Sequence, residues 1–145
     1  MNQDTKTPLA ALQLGFAGAI PFVAGALASL PLISSLHDWG LWLLLHYGAI
    51  ILSFMGGVHW GAAMMRNDIN LGSLGRSVLP SLLALPAIFF SGAIGLIILI
   101  VSFATLLFYD EQETTAGRLP AWYPYLRRRL TMIVIACLAV GALFS

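Results

Sequence analysis

The sequence predicts an all-α, polytopic membrane protein: a bundle of five transmembrane helices with the N-terminus cytoplasmic and the C-terminus outside. Three observations predict it. Only 9% of the 145 residues are charged and 59% are hydrophobic, with a mean hydropathy of +0.90. A soluble domain carries roughly 25% charged residues, so this chain has too few to clothe a water-facing surface. The apolar residues fall in five runs of about the 20 residues that a bilayer core needs at 1.5 Å of rise each. Finally, five crossings place every basic residue on one side.

The first run covers residues 9–33. Its Ala26-Leu27-Ala28 has the look of a signal-peptide cleavage site. The leader MNQDTKTP, however, offsets Lys6 with Asp4, and the run holds Gln13 and Pro21, so a retained span is expected. Gly15 and Gly18, with Ala11, Phe22 and Gly25, give it a small-residue face. Pro21 removes a backbone hydrogen bond and predicts a kink that neighbouring helices accommodate. The second reading of that proline is a broken helix offering carbonyls to an ion.

The second run covers residues 41–65. Ala49, Ser53, Gly57 and Gly61 recur every four residues and predict a ridge for close helix approach, flanked by His46 and Trp60. The third and fourth runs, 74–91 and 93–109, are short and meet at Ser91-Gly92. One merged helix would be about 50 Å long, far beyond a hydrocarbon core of about 30 Å. Two short spans turning at Ser-Gly fit better, with a re-entrant pair as the alternative. Pro80 and Pro86 lie in the third run, Pro80 being expected in a first turn that tolerates it. The fifth run covers 126–144, with its arginines at the end, where they snorkel to headgroups.

With five crossings the N-terminus, the 66–75 loop and the 110–125 loop share one side. That side holds Lys6, Arg66, Arg76, Arg118, Arg127, Arg128 and Arg129, and the other side holds no basic residue. The positive-inside rule makes the basic side cytoplasmic. Merging two runs would send Arg118 and the 127–129 cluster outside. The address expected is the bacterial inner membrane, or the mitochondrial inner membrane in a eukaryote. Within the last cytoplasmic loop, acidic YDEQETTAG precedes LPAWYPYLRRRL. Trp122, Tyr123 and Tyr125 beside Arg127, Arg128 and Arg129 have the composition of an interfacial anchor. A docking site for a partner or anionic lipid is the second reading.

Candidate chemistry is sparse. His46 and His59 lie 13 positions apart on one span, a separation suited to two haems if a parallel dimer supplied facing histidines. Their angle on the helical wheel, about 220°, weakens that idea. Placement near the two interfaces, bonded to a neighbouring helix, is the plainer expectation. Cys137 is a small apolar core residue without a disulfide partner. No intramembrane charge is expected: Asp38, Asp68 and Asp110 are assigned to loops. No Ser/His/Asp set or carboxylate pair assembles. Nothing resembles a nucleic-acid surface.

The function expected is therefore that of a non-enzymatic structural or assembly partner of a membrane complex, with no cofactor. Its partners are the lipid bilayer and another membrane protein or a second copy. The alternative is a small-solute carrier or channel acting as an oligomer, lined by His46, Tyr47, Ser53 and His59. The third reading is a haem or other cofactor-binding protein using His46 and His59.

The segments GFAGAIPF, YGAIILSFMGGVHWG, LPSLLALP and LPAWYPYLRRRLT, spread over residues 14–131, carry a family resemblance. Together they resemble the small inner-membrane proteins of bacteria and mitochondria related to transmembrane protein 69. The most specific parts are YGAxILSFxGGxxWG and PxWYxxLRxxLT. The resemblance implies fold and membrane address and supplies no catalytic residue. The chain departs from the family pattern at Leu85-Pro86, where an aromatic residue is usual.

Overall fold

The computed structural model describes residues 6–145; the leader 1–5, including Asp4, lies outside the described residues. Among the described residues five helices follow one another: α1 (Leu9–Ala28), α2 (His37–Met65), α3 (Leu71–Phe90), α4 (Gly92–Thr115) and α5 (Tyr123–Phe144). α1, α5, α4 and α3 form an arc in which each touches the next, and α2 lies against all four. Among the described residues, α1 to α4 are long and apolar enough to cross a membrane. α5 has the length, 22 residues, but carries three arginines in its first two turns.

The boundaries differ from the sequence expectation where polar residues continue a helix or a proline ends one. α1 runs through Pro21 without interruption and stops at Ala28, five residues early, ahead of Pro31. α2 begins at His37, where Asp38 in the first turn complements the helix dipole. α4 continues past Tyr109 into the supposed loop. The Thr114 and Thr115 hydroxyls donate to carbonyls one turn back, and Glu111 and Glu113 pair with Arg128 and Arg118. α3 starts at Leu71, so Pro80 is interior and buried rather than in a first turn. Ser91, at φ +47°, makes the turn between α3 and α4.

Asn70 caps α3, its Oδ1 accepting from the Ser73 N–H at 2.9 Å. Asn70→Ala is expected to lower stability by about 1 kcal/mol, read from thermal unfolding in detergent.

The small-residue ridge is also displaced. The side of α2 that meets its neighbours is Gly40, Leu44, Gly48, Leu52 and Gly56, one position round from the expected set. A Cβ on Gly56 would stand 2.6 Å from the Ser77 carbonyl of α3, whereas one on Gly57 or Gly61 would meet nothing within 4 Å. Ala49 is buried, but Ser53 only returns its hydroxyl to the Ala49 carbonyl. The four flanking helices occupy one side of α2, leaving Gly57 and Gly61 on the other. The bundle axis is filled by Phe22, Leu44, Leu52, Leu96, Leu99, Phe103 and Leu138, each at most 1% exposed.

Candidate functional site

The buried faces of three helices carry on past the apolar core into polar residues. α4 buries Leu96, Leu99, Phe103 and Leu106, and the same face continues at Asp110 and Glu113. α2 arrives with His59 and α5 with Arg127. The three side chains meet between the helices, with Asp110 1%, Arg127 4% and His59 5% exposed. Asp110 Oδ1 accepts from His59 Nε2 at 2.5 Å and Oδ2 accepts from Arg127 Nε at 2.8 Å. An ionised carboxylate only accepts, so the imidazole carries its proton on Nε2 and both oxygens are used.

This contradicts two expectations. Asp110 is not a loop residue, and Arg127 does not snorkel but turns inward. Ionisable groups inside a bundle are expensive unless paired, and removing one partner of such a pair strands the other. The arrangement is a clamp: one carboxylate ties α2 and α5 to α4. Tyr109 packs against the His59 ring at 4.6 Å between centroids, and Arg76 of α3 lies 5.8 Å over the Tyr109 ring. Arg118 donates to Glu113 at 2.8 Å, and Arg66 donates to the Arg118 carbonyl at 3.2 Å. The loops that follow α2 and α4 at this end are thus joined by polar contacts.

Among the described residues two buried side-chain polar atoms are left over. Arg127 Nη2 and, one turn along α5, Thr131 Oγ1 have no hydrogen-bond partner. Each such atom carries a penalty of about 1–3 kcal/mol.

The other sequence candidates do not converge. His46 lies in the third turn of α2, stacked on Trp42 at 4.5 Å and bonded through Nδ1 to the Trp42 carbonyl. His59 is committed to Asp110, so the two histidines share no site. Tyr47 donates to the Gly18 carbonyl at 2.9 Å, a tie between α2 and α1. Within one chain His46, Tyr47, Ser53 and His59 thus make separate contacts. Gly15 packs on Leu126 and Leu130 of α5, and Gly18 faces the Tyr47 hydroxyl. Trp60, Tyr125, Arg128 and Arg129 are exposed, Trp122 and Tyr123 half-buried. Arg128 pairs with Glu111 at 2.5 Å, and Trp122 meets Tyr123 edge-on. Sequence reasoning missed Asp110, Glu113 and Arg118. The signal available was helical period: 99, 103, 106, 110 and 113 form one stripe.

A helical bundle with four membrane-length apolar helices and an ionic clamp at one end is a multi-pass membrane protein. The chain belongs to the family described as "Protein of unknown function (DUF3429)", which matches residues 7–143. It is 34% identical over 143 residues to transmembrane protein 69 of Xenopus tropicalis, covering 95% of this chain and 55% of the relative. The chain spans about half the length of that curated relative. No solved structure matches it.

Proposed function

We propose that the chain crosses the inner membrane five times, N-terminus cytoplasmic and C-terminus outside, and acts without catalysis as a structural or assembly partner of another membrane protein. The fifth crossing is supported by the length of α5, about 33 Å, and by the inward turn of Arg127, which removes one charge from lipid. Its other two arginines lie exposed in the first turns, within reach of headgroups. The orientation is supported by the gathering of the basic residues at one end. Gly15 of α1 packs on the start of α5, and Arg66 reaches the loop before α5.

The observation that carries the partner reading is the filled bundle axis. Large apolar side chains occupy it and the charge clamp sits across its basic end, so a single copy works through its surfaces. The surface favoured is Trp122, Tyr125, Arg128 and Arg129, aromatic and basic together. Mild-detergent purification of the tagged chain tests this. A membrane protein is expected to co-purify in fixed ratio, and Arg129→Glu is expected to lose it while the chain's own yield stays unchanged. A partnerless monomer, or association indifferent to Arg129→Glu, overturns the reading.

A further inference from the structure

The clamp borders a cavity that it does not fill. Between α1, α2, α4 and α5 lies a space of about 290 Å³ walled by Gly15, Gly18, Phe22, Met55 and Val134, with Arg127 as its one charged lining residue. Leu14 and Phe54, also in its lining, are 75% and 64% exposed, so the space opens on the outer surface of the bundle. It is near the lower size of small-ligand sites, roughly 300 Å³. α1 makes room for it with two glycines three positions apart.

Two independent observations meet here. One is an apolar groove reached from the lipid side. The other is Arg127 Nη2, a buried donor on a residue only 4% exposed, with no partner even though Nε is engaged by Asp110.

We propose that this cavity is a binding site for one anionic glycerophospholipid of the leaflet at the basic end of the bundle. One acyl chain lies along Gly15, Gly18 and Phe22, and a phosphate oxygen accepts from Arg127 Nη2. A guanidinium suits this because its unused edge remains a directed, permanently charged donor when the other edge holds a carboxylate. Asp110, by holding Arg127 Nε, keeps this side chain beside the groove. A neutral headgroup offers the same phosphate but cancels its charge with a cation that Arg127 repels.

The test uses the full chain in detergent, equilibrated with equal amounts of phosphatidylglycerol and phosphatidylcholine and then analysed by native mass spectrometry. Wild type is expected to retain one phosphatidylglycerol in preference to phosphatidylcholine. Gly18→Leu puts an apolar side chain into the groove, its Cβ in ordinary contact with the Tyr47 hydroxyl at 3.8 Å. That variant is expected to lose retained lipid by about tenfold or more. Arg127→Lys keeps a cation opposite Asp110 but removes the second edge, and is expected to erase the preference for phosphatidylglycerol. Equal retention of the two lipids by wild type overturns the proposal. So does undiminished retention in Gly18→Leu, or a fatty acid or quinone carried through purification in the lipid's place.

Discussion

Asp110→Ala is expected to destabilise the bundle by about 3–5 kcal/mol, the largest effect of any single substitution at its polar end. The carboxylate takes two donors, from His59 at 2.5 Å and Arg127 at 2.8 Å, in a site where all three residues are at most 5% exposed. Its removal leaves a guanidinium buried among apolar helices without the carboxylate that pairs it. His59→Ala removes one hydrogen bond to a charged group while the ion pair survives, so the expected loss is smaller, about 1.5–3 kcal/mol. The double variant Asp110→Leu with Arg127→Leu removes both charges and is expected to recover most of the stability lost by Asp110→Leu alone. Denaturation in mixed micelles, followed by helical circular dichroism, reads all four. If the single and double variants unfold together, the pair is not coupled and the clamp is not what ties α2, α4 and α5.

The second large effect is at Gly40. A Cβ there would stand 2.5 Å from the Ser29 nitrogen, 2.7 Å from the Gly25 oxygen and 2.8 Å from the Ala28 carbonyl carbon. All three are backbone atoms of the α1 end, so no side chain can rotate away and the two helices must separate. Gly40→Ala is therefore expected to cost about 1–3 kcal/mol, near the upper end. Gly57→Ala, with nothing within 4 Å, is expected to be neutral or to gain a few tenths from better helix propensity. The same denaturation measurement separates them; equal losses at Gly40 and Gly57 would contradict the packing described.

These two cases show what was legible in the sequence. Helix number and membrane class followed from apolar runs and scarce charge, because length and composition decide whether a segment can cross lipid. The ridge on α2 did not follow. Ala49, Ser53, Gly57 and Gly61 repeat every four residues, but so do Gly40, Leu44, Gly48, Leu52 and Gly56, and only the neighbouring helices decide which stripe is covered. The clamp was hidden for a different reason. YDEQETT reads as a loop by polarity, yet Asp110 sits at the next inward position after Phe103 and Leu106. A polar residue that keeps the helical period of an apolar face is a candidate for a buried partner. The partner, Arg127, was obscured by Arg128 and Arg129, which do face outward; position on the turn separates the three, not composition.

Five crossings with the basic end in the cytoplasm is the claim on which both the partner surface and the lipid leaflet depend. It is tested by single cysteines in a Cys137→Ala background, one at Thr115 and one at Ser145, on either side of α5. A membrane-impermeant maleimide applied to intact cells is expected to label Ser145→Cys at once and Thr115→Cys only after the membrane is opened. Labelling of both from the same side would show that α5 does not cross, and labelling of Thr115→Cys alone from outside would invert the protein.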